Sequence, residues 1–224
     1  VTYWFYYLVK WILWVFFHLG FGLEVRGQDY IPKTGPFILA SNHVSFLDPP
    51  LLGAACPRRL RFMARADLFG KPLLAAFMRG VHVIPLKRGE GDLNAIRTAV
   101  QLLHHGEAIA MFPEGGRQLS GQLGVARRGV GLLAMSAEVP VIPVFVHGTF
   151  EALGAHATRL SGAKIRVAFG PPIPYTKALV PSTGTGDAQP MAEAGDRARR
   201  ALHERLAEIV THEWRRLAAS RTST

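Results

Sequence analysis

From Tyr3 to Phe21 the chain reads YWFYYLVKWILWVFFHLGF, with Lys10 its single charge. A run this apolar predicts a helix with no hydrated face, long enough to cross a bilayer if it stood upright. Its three Trp and three Tyr suit the headgroup boundary, where amphipathic rings sit. After Gly22 the pattern changes to short apolar runs broken by Gly and Pro. Leu23–Arg26, Phe37–Ala40, Leu60–Met63, Val81–Leu86, Ala108–Phe112, Val141–Val146 and Ile165–Phe169 read as strands. Pro85 places its strand at an edge or an end. Between the strands, Asp48–Ala55, Pro72–Met78, Asp92–His104 and Gly129–Ala137 read as helices. Asp48 stands where an N-cap belongs, and Pro49 and Pro50 fit a first turn. Leu93, Ile96, Val100 and Leu103 share one face of their helix. Strands alternating with helices predict an α/β layered sandwich around a largely parallel or mixed sheet, preceded by the N-terminal helix.

Residues 177–195 are rich in Pro, Gly, Ala and Thr and predict a linker. Asp196–Ala219 carries Leu202, Leu206, Ile209, Val210, Trp214 and Leu217 along a stripe, with most of its Arg residues off it. That pattern predicts an amphipathic helix packed on the domain with a solvated basic face. The expected division is therefore 1–24 for a membrane-associated helix, 25–176 for an α/β domain, 177–195 for a linker and 196–224 for a C-terminal helix and tail. The apolar leader has neither a basic start nor a small-residue cleavage site, so removal as a signal peptide is not expected.

Charge narrows the partners. The 224 residues carry a formal net charge of +10, with 20 Arg against 6 Lys. Anionic partners are expected, and the Arg bias suits bidentate pairing with phosphate or carboxylate. The one cysteine, Cys56, excludes an internal disulfide framework and a multi-cysteine zinc site, suits a reducing cytosolic face, and is expected to pack in the core. No basic–aromatic platform or helix-turn-helix pattern supports nucleic acid. No phosphate-binding loop ending in Lys-Ser/Thr and no HExxH are present, which leaves ATP hydrolysis and zinc proteolysis without support.

Three predicted strand ends carry chemistry, and strand ends are where ligands gather in open α/β sheets. In Asn42-His43-Val44-Ser45-Phe46-Leu47-Asp48, a His follows a strand and an Asp stands five residues later. A carboxylate that holds one ring nitrogen as N–H leaves the other free to take a proton, which makes a general base. In Phe112-Pro113-Glu114-Gly115-Gly116-Arg117, two glycines expose backbone N–H groups and Arg117 adds a fork of donors for an anion. Val83-Ile84-Pro85-Leu86-Lys87-Arg88-Gly89 ends a third strand with two cations. His43 and Asp48 lack a third ligand at sensible spacing, so no metal site is expected.

Together, NHxSxxD (Asn42–Asp48) and FPEGGR (Phe112–Arg117) resemble the 1-acylglycerol-3-phosphate acyltransferases of the glycerolipid acyltransferase superfamily, with likeness from about Leu23 to Pro174. VIPLKRG (Val83–Gly89) looks like the second block of that family, and Pro140–Val144 like its fourth. The third block usually reads FPEGTRS; here Gly116 and Gln118 replace its Thr and Ser. The resemblance implies transfer of a fatty acyl chain from a thioester to the free hydroxyl of lysophosphatidate, giving phosphatidate. His43 would abstract the hydroxyl proton and Asp48 would orient His43. Arg88 and Arg117, with Arg65, would clamp the substrate phosphate, and Asn42, Ser45 and Glu114 would join the substrate site. Backbone N–H groups near Gly115 and Gly116 would steady an oxyanion.

No permanently bound cofactor is implied; acyl-CoA or acyl-carrier protein would be the donor, and a phospholipid membrane the platform, with the catalytic domain facing the cytoplasm. The competing readings are an acyltransferase using glycerol 3-phosphate or another lysophospholipid, an acyl thioesterase, and a non-catalytic protein that binds anionic lipid.

Overall fold

The structure, a computed structural model, describes residues 3–86, 93–154, 156–178 and 195–220. The apolar runs become strands β1 (Glu24–Arg26), β2 (Phe37–Ser41), β3 (Leu60–Arg65), β4 (Ile84–Leu86), β5 (Ala108–Met111), β6 (Val141–His147) and β7 (Arg166–Phe169). They form one sheet in the order β1-β7-β6-β2-β5-β3-β4. Its neighbours run parallel except β6 and β7, which are antiparallel. The expected α/β sandwich with a largely parallel, mixed sheet is therefore observed. Every residue of β2 is buried, as a central strand covered on both faces requires.

Helices cover the two faces. Phe37 and Leu39 of β2 point to the side of α1 (Trp4–Phe21) and α2 (Asp48–Ala55). Ile38 and Ala40 point to the side of α4 (Leu93–His104), α5 (Gly129–Ala137) and α7 (Asp196–Ala219). The other described helices are α3 (Pro72–Gly80) and α6 (Thr149–Leu153). The indole N–H of fully buried Trp214 donates to the Ala40 carbonyl at 3.0 Å, tying α7 to the end of β2 just before the His43 loop. Helix α7 covers the span expected for it. Most of the expected linker, 177–195, lies outside the described residues.

The N-terminal helix uses a stripe, not its whole circumference. Tyr6, Phe17 and Phe21 are buried, and Leu13 packs partly against the same core. Lys10 lies on that stripe and donates to the carbonyls of Cys56 and Pro57, where α2 leaves acceptors unpaired. The opposite face exposes Trp4, Tyr7, Leu8, Trp11, Ile12 and Leu19. The helix is long and apolar enough to cross a membrane by length and composition alone, with 17% of it buried against the protein.

One strand starts later than its sequence suggests. Val81, His82 and Val83 belong to the end of α3, where the Val83 N–H reaches back to the Met78 carbonyl (2.9 Å) and the His82 N–H to that of Arg79 (3.0 Å). This six-to-one closure requires a left-handed residue, and His82 supplies it at φ 60° in place of the usual Gly. The five-residue α6 has no counterpart in the hydrophobic pattern.

Topology sets the site. Because β2, β5, β3 and β4 are parallel neighbours, their C-terminal ends share one sheet edge. The loops after β2 and β5 therefore emerge side by side.

Candidate active site

At the end of β2, His43 Nδ1 lies 2.8 Å from Asp48 Oδ2. The same oxygen accepts the backbone N–H groups of Val44 (2.7 Å) and Ser45 (2.8 Å). Asp48 is completely buried. Three donors on one oxygen compensate a buried carboxylate and fix the short loop between the two residues. The N-cap expectation for Asp48 is thereby corrected. Helix α2 begins at Asp48 itself, its cap position is Leu47, and no side chain caps it. The carboxylate serves the loop because its backbone N–H groups point inward, ahead of the helix. The His43 ring stacks on Phe112, with centroids 4.1 Å apart and planes 23° apart. With Nδ1 committed to Asp48, Nε2 is the nitrogen left to take a proton.

The loop after β5 locks the same histidine from the other side. Buried Glu114 accepts the His43 backbone N–H at 3.0 Å and the Gly124 N–H at 3.1 Å. The Gln118 N–H donates to the His43 carbonyl at 2.8 Å. Both backbone groups of His43 are thus held by the loop that follows β5, through Glu114 and Gln118. Burial pushes the Glu114 carboxyl up to about 7, and the nearby Asp48 charge acts in the same direction, against the hydrogen bonds it accepts.

Gly115 turns the chain at φ +79°, and its N–H is taken by the Phe112 carbonyl at 3.1 Å. A side chain there would also meet the Arg127 guanidinium, whose Cζ lies 3.2 Å from where a Cβ would stand. Arg117 lies flat on Phe46, its Cζ 3.5 Å from the ring centroid. Its Nη1 is buried without a hydrogen-bond partner among the described residues. A guanidinium held flat with a donor unspent is suited to an anionic ligand.

An apolar cavity of about 380 Å³ adjoins these groups. It runs between Tyr6, Val9 and Leu13 of α1, Pro49, Pro50 and Gly53 of α2, Phe62 and Met63 of β3, and Phe77 and Met78 of α3. Phe112 and Phe46 complete it, so the ring under His43 and the ring under Arg117 are also walls of the cavity. A proton acceptor, an unspent cation and an apolar slot converge here.

The expected site residues divide into three groups. His43, Asp48, Gly116 and Arg117 stand at the junction just described, and Gly116 has open space where a side chain would be. Asn42, Ser45, Glu114 and Gly115 make hydrogen bonds within its framework. Asn42 Nδ2 donates to the Val146 carbonyl and Oδ1 accepts the Val146 N–H (3.0 and 2.7 Å), binding β2 to β6. Ser45 Oγ donates to the Leu153 carbonyl at 2.6 Å and accepts the Leu47 N–H at 3.1 Å. The polar groups of Glu114 and the N–H of Gly115 are spent in the same way. The third group is Arg65, which ends β3 at the shared sheet edge opposite Leu86, and Arg88, which lies outside the described residues. Arg127 was not expected, since in VARRG it reads as an ordinary surface cation; contact with Gly115 across the intervening loop is what brings it to the site. Cys56 is buried, as expected.

The fold and site together define an α/β protein with a hydrogen-bonded His–Asp pair set beside an apolar cavity and an arginine whose Nη1 has no partner among the described residues. Residues 22–147 match the family model described as Acyltransferase, and the chain belongs to that family. It is 30% identical over 165 residues to 1-acyl-sn-glycerol-3-phosphate acyltransferase alpha of Homo sapiens, covering 72% of this chain and 58% of the human protein. It is 27% identical over 128 residues to 1-acyl-sn-glycerol-3-phosphate acyltransferase of Bacillus subtilis (strain 168), covering 57% of this chain and 63% of that relative. The chain thus spans about three fifths of the length of these two relatives. The fold is that of the crystal structure of the 1-acyl-sn-glycerophosphate acyltransferase PlsC from Thermotoga maritima, with a TM-score of 0.70, 20% identity, and coverage of 94% of this chain and 79% of that one.

Proposed function

We propose that the protein transfers a fatty acyl group from an acyl thioester to the free hydroxyl of 1-acyl-sn-glycerol 3-phosphate, forming phosphatidate. The observation that carries this reading is the junction itself: among the described residues His43 Nε2 and Arg117 Nη1 have no hydrogen-bond partner, and both side chains stack on rings that line an apolar cavity. His43 takes the hydroxyl proton as the acceptor oxygen attacks the thioester carbonyl. The tetrahedral intermediate collapses, the C–S bond breaks, and the leaving thiolate recovers the proton from the His43 imidazolium. Asp48 stabilises that cation between the two transfers, and base catalysis of this kind contributes about 10²–10⁴-fold. The Gly116 N–H, which has no partner among the described residues, donates to the oxyanion.

Arg117 binds the acceptor's phosphate, assisted by Arg127, with Arg65 at the sheet edge and Arg88 as further donors. The cavity takes an acyl chain. The donor is acyl-CoA or acyl-carrier protein, and no bound cofactor takes part.

Helix α1 lies in the membrane surface, with the catalytic domain on the cytoplasmic side. Support comes from its inner stripe: Tyr6 near one end and Phe17 and Phe21 near the other are all buried against the protein. A helix fastened along its length to a water-exposed domain lies alongside it. Its aromatic outer face then meets the headgroup boundary.

The test is a panel of lysophosphatidate, glycerol 3-phosphate and a neutral lysophospholipid, each offered with acyl-CoA and with acyl-carrier protein, and product identified by mass spectrometry. Phosphatidate from lysophosphatidate is expected as the fastest product. Preferred acylation of another acceptor would overturn the acceptor assignment. Free fatty acid as the main product would make the protein a thioesterase, and no turnover of the donor would leave only lipid binding.

A further inference from the structure

We propose that α3 is a second lipid-contacting element, its exposed stripe resting in the same phospholipid surface as α1. Leu73 of α3 is 89% exposed and Phe77 is 44% exposed. Ala76 lies between them on the outer side, while Ala75 and Met78 face the core. A helix on a hydrated surface places polar residues on its outer stripe; α3 places Leu, Ala and Phe there. The cations sit instead at its two ends, with Lys71 just before it and Arg79 in its last turn, both exposed. Apolar residues along the middle and cations at the rims are the distribution of an in-plane helix in an anionic bilayer surface.

The occupant is a bilayer because the stripe meets α1 at half-buried Phe5, beside exposed Trp4 of the outer face. Phe77 meets Phe5 of α1 edge-to-face at 6.5 Å. Gly80 lies against Phe5 so closely that a Cβ there would come within 2.8 Å of the ring. The two helices therefore form one apolar shoulder, and the cavity beside His43 lies between them, walled by Val9 and Leu13 on one side and Phe77 and Met78 on the other. An acyl chain entering between α1 and α3 would pass from bilayer to cavity without crossing water. This inference rests on the reading of α1 as membrane-facing, and the test separates the two.

The full chain is labelled with a thiol-reactive fluorophore at Leu73→Cys and, separately, at Ala76→Cys. Cys56 need not be replaced, since it is fully buried and burial pushes its thiol up to about 11. A label at Arg200→Cys on exposed α7 is the control. Each protein is mixed with vesicles of phosphatidylglycerol and phosphatidylcholine, with and without a nitroxide on the acyl chains. The native Trp4, Trp11 and Trp14 report on α1. The expected result is at least twofold quenching of the α1 tryptophans and of both α3 labels, with the Arg200 label unchanged. Quenched tryptophans with α3 labels no more affected than the control would overturn the role of α3 and leave that of α1 standing. If neither is quenched, the membrane reading of α1 fails and the α3 proposal fails with it.

Discussion

Replacing Asp48 by Asn tests the catalytic pair where it is most exposed to error. In the wild type one carboxylate oxygen accepts three donors, from Val44 N, Ser45 N and His43 Nδ1, all within 2.8 Å. Two of these are backbone N–H groups that cannot turn away. An Asn must therefore place its carbonyl oxygen at that position, and its NH₂ at the site of Oδ1, which has no hydrogen-bond partner among the described residues. The His43 tautomer is then preserved, and what disappears is the negative charge beside the imidazolium. Removing one partner of a buried ion pair costs about 3–5 kcal/mol, or roughly 10²–10⁴ in the rate of acyl transfer at about 1.4 kcal/mol per decade. The orphaned amide N–H and three weakened hydrogen bonds should also lower stability by about 2 kcal/mol. For a chain of this size that is roughly 4–8 °C in Tm. His43→Ala should lose transfer to a similar degree while leaving those backbone bonds in place. Single-turnover transfer and thermal unfolding are measured on both variants. An Asp48→Asn protein that is destabilised but transfers at nearly the wild-type rate would show that the carboxylate only holds the loop, and the dyad mechanism would be wrong.

Three other outcomes are expected. Because burial raises Glu114 from about 4.3 in the unfolded chain to about 7 in the fold, the folded state holds a proton that the unfolded state has lost between those values. Its contribution to stability should therefore fall as pH rises from about 4.5 to 7, and Glu114→Gln should flatten that part of the profile in denaturant titrations; an unchanged slope would refute the assignment. Arg117→Ala should lower kcat/KM for lysophosphatidate by roughly 10–100-fold, as loss of a charge-assisted bond worth about 1.5–3 kcal/mol implies. Arg117→Lys should recover only part, because it keeps the charge and loses the flat fork on Phe46; unaltered kinetics in both would remove Arg117 from the site. Gly53 lines the cavity beside Phe62, so Gly53→Leu should shift the preferred acyl chain to shorter lengths across a donor and acceptor series, and an unshifted profile would mean that the chains bind elsewhere.

Local chemistry was legible in the sequence where a single residue type has a single use. His43 with Asp48, the turn at Gly115 and the cation at Arg117 fall where strand ends and spacing put them. The unbroken FILA run reads as a strand, and it forms β2 with one further residue, Ser41. What escaped was long-range pairing. Asn42 carries polar atoms that look available until Val146, 104 positions away, takes both of them. Glu114 reads as a member of the substrate site, and nothing local shows that it takes the distant His43 and Gly124 backbone N–H groups. The stripe of α1 was hidden for the opposite reason: where nearly every residue is apolar, hydrophobicity marks no preferred face, and only the partners of Lys10 and Tyr6 reveal it. Val81 and Val83 were misread as strand because β-branched alternation outweighs a closure whose left-handed residue is His82 rather than Gly.

Strand β1 pairs only with β7 at the sheet edge, and Glu24 on it is bonded to Arg166, 142 positions later. During synthesis this sets an order of events. The apolar helix is made before the sheet, and the strand that anchors its C-terminal end is made last among the sheet's strands. At about 5–20 residues per second the delay is roughly 7–30 s. For that interval the aromatic helix has no complete docking surface on its own chain. Nascent chains arrested before residue 166 should therefore be held by membranes or chaperones through this helix, and the finished protein should release the chaperone once the sheet closes.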